Sequence, residues 1–247
     1  MTVFLQLPSP LLDDSTFVRS LVPFIPPLWL RLAIGVSFFA VLATIDLARH
    51  GRAARKWREY GFLLVAVVVS LGYGILNDQL TVGLSPEYFA YGKGLADKLG
   101  PHFEQHPFQL RWEAAKVGMQ ATWSAGLIIG VAFLLANNPR PGLPCLFYKS
   151  MFKLLPGIVL ACAVCATLLG GAGYGGLLTW LSEDFAEMLR RDQFRPRRFM
   201  AVYGIHLGGY IGGLIGTIVT VISLRRKRLL LQRGRQPAHS KTVPAAT

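Results

Sequence analysis

Two separated stretches of this chain carry side chains that could do chemistry together. Asn77-Asp78-Gln79 is followed by Thr81, Glu87 and Tyr88, and far downstream His206 stands between Tyr203 and Tyr210. Carboxylates and an imidazole that converge can bind a cation, relay protons or anchor a polar headgroup. His206 also falls inside an apolar run, where an ionisable group is costly and often marks function. Each group has a plainer alternative. His206 could bond a tyrosine or a backbone carbonyl, while Asp78 could end one element and Ser85 start the next.

Other patterns carry less. His102 and His106 stand at i and i+4, a spacing that on a helix would put both on one face and could hold a metal. The acid between them is at the wrong offset for HExxH, and Gly100-Pro101 with Pro107 leave room for barely one turn, so a solvated loop and no metal are expected. Cys162 and Cys165 have CxxC spacing inside an apolar segment with no second pair nearby, which reads as two buried small residues. No Walker loop, nucleotide fingerprint or GxSxG elbow is present, and no cofactor is expected. Thr44, Asp46 and Glu113 read as interface residues.

The elements that must position these groups are long apolar blocks. Of 247 residues, 52% are hydrophobic and only 16% charged, below the roughly 25% of a soluble domain. Blocks of about 20 apolar residues are the length that crosses a bilayer. Five are expected: Leu28 to Leu47, Tyr60 to Leu76, Val117 to Leu135, Leu154 to Trp180 and Met200 to Leu224. The reading is an all-α integral membrane protein, with residues 28–232 forming the five-helix domain and a short helical cap outside the membrane. Residues 1–27 lack a basic n-region, contain Asp13 and Asp14, and are broken by prolines, so they do not read as a cleavable signal peptide. Phe17 to Trp29 could lie along the interface.

Inside the fifth block, Gly204, Gly208, Gly212 and Gly216 recur at every fourth position. In water they would weaken a helix by about 1 kcal/mol each relative to alanine. In hydrocarbon the helix survives because its backbone must bond to itself, and the missing side chains admit a second backbone. On a helical wheel the glycines drift across roughly 120° of one face, with Tyr203, His206, Tyr210 and Thr217 nearly opposite. A glycine zipper is expected against Gly171 and Gly175 of the fourth block in preference to a second copy of the fifth. The glycine run from Gly170 to Gly176 could bend or unwind that fourth block. Ser85-Pro86-Glu87 is a helix-start signal, a hydroxyl cap followed by proline and an acid. Its helix should end by Gly92 or Gly94, and Pro107 could open a helix that continues into the third span.

The formal charge of +13 sits mainly at the ends of apolar blocks. That is the pattern of membrane orientation rather than of a nucleic-acid partner. Arg49 to Arg58, Arg140 to Lys153, and Arg225 to Arg235 fall on one side, which places the C-terminus in the cytoplasm and the N-terminus outside. Arg190, Arg191, Arg195, Arg197 and Arg198 oppose this assignment. Leu181, Phe185, Met188 and Leu189 fall at helical spacing as a surface-lying amphipathic helix, and residues 233–247 read as a disordered tail.

Asn77-Asp78-Gln79-Leu80-Thr81 followed by Ser85-Pro86-Glu87-Tyr88-Phe89 resembles a segment of small multi-pass bacterial membrane proteins of no established function. Trp123, His206 and Tyr210 are similar to positions in the same group. The resemblance implies a bacterial inner membrane and supplies no reaction. Abundant packing features beside absent catalytic motifs make a non-catalytic structural or accessory subunit the lead expectation. Its partners would be the bilayer with its anionic lipids and a protein partner or homo-oligomer that meets the Asn77–Phe89 loop. The alternatives are a small transporter or ion pathway, and a membrane enzyme acting on lipid headgroups.

Overall fold

A computed structural model describes residues 27–100, 102–141, 143–181 and 195–235. Most of the N-terminal interfacial segment, the amphipathic stretch with Phe185, Met188, Leu189, Arg190 and Arg191, and the tail beyond Arg235 lie outside the described residues. The fold is all-α, with five helices long and apolar enough to span a membrane. Among the described residues there is no strand, only an isolated bridge between Arg140 and Leu143.

The chain divides into two compact units at Trp57. The first contains α1, Leu28–His50, which ends at Gly51, where φ is 52°. The carboxylate of Asp46 is buried there. It accepts the Lys56 N–H at 2.9 Å and lies 3.0 Å from His50 Nδ1. Asp46 thus serves local chain reversal, a polar end satisfied by its own neighbourhood.

The second unit holds α2, Lys56–Leu84, whose first two residues belong to the first unit; α3, Ala96–Leu99; α4, Pro107–Ala136; α5, Tyr148–Phe152; α6, Leu155–Tyr174; and α7, Pro196–Arg235. The long helices α2, α4 and α7 overrun the apolar blocks that foretell them. Hydropathy marks only the part that needs hydrocarbon, whereas backbone hydrogen bonding carries the helix on into the polar ends. Asp78 consequently lies inside α2 and does not end it. Pro107 does open α4, well before the apolar block.

The glycine-rich end of α6 stops the helix. Tyr174 is its last residue, Gly176 takes a φ of 84°, and Leu177 N–H reaches back to the Ala172 carbonyl at 3.0 Å while Gly176 N–H bonds Gly173. This is a Schellman closure, in which a residue at positive φ ties off the last carbonyls.

Two pairs of helices approach backbone to backbone. In α6 and α7, a Cβ on Gly204, Gly208 or Gly212 would collide with the carbonyl of Leu169, Cys165 or Ala161, and one on Gly173 with that of Met200. The contact surface of α6 therefore runs through Gly170 and Gly173, and not through the expected Gly171 and Gly175. A Cβ on Gly171 would meet nothing, and one on Gly175 would meet only carbonyls of its own last turn. The helical period decides the first case, since each residue is turned about 100° from the one before it. The end of the helix decides the second, since Gly175 follows the last residue of α6. In α2 and α4, Gly74 and Gly118 face each other, Gly126 abuts Ala66 and Val67, and Gly130 meets Leu63. One apolar cluster closes each end of the bundle, around Tyr88, Phe89, Phe103 and Phe199 at one and Phe62, Phe133, Met151 and Leu224 at the other. Large side chains such as Leu80 and Leu160 remain exposed, at 77% and 65%, as a lipid-facing wall requires.

Candidate functional site

Asp78 and His206 meet. The Oδ1 of Asp78 lies 3.0 Å from His206 Nε2; Asp78 is buried and the His206 side chain is 10% exposed. The other imidazole nitrogen, Nδ1, lies 2.8 Å from the Val202 carbonyl one turn back on α7. A carbonyl can only accept, so Nδ1 carries a proton. The Nε2–Oδ1 contact then needs one more proton, on either atom. Imidazolium with carboxylate, or imidazole with carboxylic acid, gives the same total: the pair is neutral as a unit. Asn77 Nδ2 donates a second bond to Oδ1 at 3.2 Å.

Aromatic rings complete the enclosure. A short turn begins at Pro86 and takes the wider π geometry over Tyr88–Gly92. Tyr88 stacks on His206 with centroids 4.9 Å apart and planes at 25°, and Phe89 meets the same imidazole edge-on at 5.9 Å. Single π turns recur at functional sites; here the turn brings two consecutive rings onto one imidazole. Burial, and then the nearby Tyr210 and Asp78, push the Tyr88 phenol above its ordinary range, so it stays protonated. Ser85 Oγ accepts the Tyr88 N–H at 3.3 Å, as a capping hydroxyl should. It also donates to Glu87 Oε2 at 2.8 Å. The Glu87 carboxylate thereby serves the cap.

The remaining expected residues fall in different places. Gln79 bonds across to α4, giving Nε2 to the Arg111 carbonyl at 2.9 Å, while Arg111 Nη1 donates to the Gln79 carbonyl at 3.2 Å. Tyr203 packs on the apolar cluster around Tyr88, Phe89 and Phe199. Tyr210 is about half exposed and lies one turn beyond His206. His102 and His106 are both exposed and flank a single 3-10 turn, Phe103–Gln105, in place of sharing an α-helical face. Among the described residues no group of three or more His, Cys, Asp or Glu stands in metal-binding proximity.

What the residues alone did not show is the space beside the pair. A cavity of about 90 Å³ lies between the two helix pairs, lined by α2, α4, α6 and α7. It has room for several waters or part of a chain-like ligand. On α2 it runs from Asp78 to Ala66, about 18 Å along the helix. Its polar wall holds Ser70, Tyr73, Asn77, Asp78, Thr122, His206 and Tyr210, and the rest is apolar or glycine. Ser70, Tyr73 and Asn77 follow i, i+3, i+7 spacing on α2, a polar stripe within an apolar block that the sequence does display.

The cavity borders the lipid-facing surface. A wholly apolar groove formed by Val65, Val69, Phe152, Leu155, Pro156 and Val159 shares Val69, Leu155 and Val159 with the cavity wall. Those three side chains of α2 and α6 stand between the groove and the cavity, near the N-terminal end of α6. Compared with protein-family models, curated proteins and solved structures, the chain matches none of them.

Proposed function

We propose that this multi-pass membrane protein binds an amphiphile drawn from the bilayer. The apolar part would occupy the cavity between α2 and α6, and the polar part would meet the Asp78–His206 end. The observation that carries this reading is the shared wall, Val69, Leu155 and Val159, between a surface groove and a cavity that ends at a buried polar pair. An opening between these apolar side chains would admit a ligand from the lipid phase and would serve no water-soluble one. The abundance of close-packed glycine contacts around the cavity supports a rigid holder, in keeping with a non-catalytic role.

The same reading puts the chain in a bacterial inner membrane, with the Asp78–His206 end outside and the C-terminus of α7 in the cytoplasm. Its support is the basic residues clustered between α1 and α2, around Lys149 and Lys153, and at Arg225 to Arg228. Lipid extraction tests the binding. Protein purified in gentle detergent should retain a lipid, measured by mass spectrometry against bulk membrane, and Val159→Trp should lose it by plugging the entrance. No retained lipid in the unsubstituted chain would refute the proposal.

A further inference from the structure

We infer that the cavity selects an uncharged lipid whose head carries hydroxyl or ester oxygens, and discriminates against phospholipids. This rests on the amphiphile reading above and adds the chemistry of the head. The cavity lining contains no lysine and no arginine. Its one cationic candidate, His206, is matched by Asp78, and both imidazole nitrogens already have partners. Three cations on neighbouring elements are committed elsewhere. Arg111 bonds the carbonyl and side chain of Gln79, Lys116 pairs with Glu113, and Lys93 lies over the Tyr88 ring.

A phosphate brought to this end would lose its water and find no counter-charge. Burying an ion without a partner costs several kcal/mol even after relaxation. A hydroxyl or ester carbonyl needs only one or two hydrogen bonds, and the hydroxyls of Ser70, Tyr73 and Tyr210 with the Asn77 amide stand along the wall to supply them. Thr122 is less available, since its hydroxyl donates to the Gly118 carbonyl at 2.8 Å. The tail would follow the apolar wall past Ile129 and Ile158 toward the groove.

Matched photoreactive probes separate the possibilities. The full chain is placed in phosphatidylcholine nanodiscs doped with diazirine-tailed dioleoylglycerol or, separately, with phosphatidylglycerol bearing the same tails. Labelled peptides are mapped by mass spectrometry. The dioleoylglycerol probe should label residues 66–79 and 206–213 about tenfold more than the phosphatidylglycerol probe, the ratio that about 1.4 kcal/mol of discrimination produces. Both probes should label the lipid-facing Leu160 and Leu168 equally. Val159→Trp should remove the cavity labelling and leave the surface labelling. Equal or greater cavity labelling by phosphatidylglycerol overturns the inference and leaves the amphiphile reading standing. Surface labelling alone by both probes overturns the two together.

Discussion

Helix α7 turns a basic side chain into the bundle at two depths, and the two are treated in opposite ways. His206 and Arg228 are 22 residues apart by number, about 33 Å along the helix, roughly the thickness of a bilayer core. Arg228 is 2% exposed, and its guanidinium donates to the carbonyls of Ala136, Asn138, Leu143 and Pro144. Ala136 is the last residue of α4, so the cation sits where helix carbonyls lack partners and the helix dipole is negative. All of those acceptors are backbone, and none of them lines the cavity. His206 has one backbone acceptor and one carboxyl partner from a different helix, and it borders open volume. A basic group turned away from the surface is common to both. A closed set of backbone partners marks a structural clamp, and a side-chain partner beside a cavity marks a place where a ligand can be read.

The comparison can be broken most severely at the clamp. Arg228→Met should cost about 3–5 kcal/mol, because it leaves several carbonyls without their donor at about 1–3 kcal/mol for each buried acceptor left unsatisfied, seen as a lower thermal midpoint in detergent. Lipid retained per folded molecule should be unchanged. His206→Leu should cost slightly less, about 3 kcal/mol, because it strands Asp78 without its partner. Adding Asp78→Leu should recover most of that stability, since removing both members of a pair can be nearly neutral. Lipid retention should stay lost in the double variant, which separates the pair's structural share from its recognition share. Failure of the second substitution to restore the midpoint would show that Asp78 is not the group left stranded.

Smaller effects sharpen the contrast within the packing. Gly208→Val drives a side chain against the Cys165 carbonyl and should cost about 1–3 kcal/mol by overpacking. It should also lower lipid retention by shifting α7. Ser85→Ala removes the cap that seats Tyr88, for about 1 kcal/mol, and should lower the thermal midpoint by a correspondingly small amount. Gly171→Ala adds a methyl where nothing stands within 4 Å. It should move the midpoint least, within about 0.5 kcal/mol.

The two glycine seams differ in how readable they are. The series in α7 announces itself because four glycines recur without interruption. The seam between α2 and α4 uses Gly118, Gly126 and Gly130 with Thr122 between them, so the same four-residue register is present but broken by a hydroxyl. Residue types alone suggest that Asp78 and His206 converge. They suggest the same of Glu87, which instead serves Ser85. Arg228 reads only as one of a basic run at a membrane boundary. Nothing local distinguishes it from Arg225 or Arg226, and its burial depends on where α4 ends.

Composition and periodicity alone determined that this chain is helical, crosses hydrocarbon and packs through small residues, because those properties follow from each segment's own solvent preference and backbone bonding. Three things awaited the tertiary structure: which glycines of α6 face α7, which carboxylate partners His206, and that a cavity and a surface groove share a wall between α2 and α6. Each is a relation between helices distant in sequence. It is set by rotation about the helix axes and by how closely two backbones can approach, and no single segment encodes either.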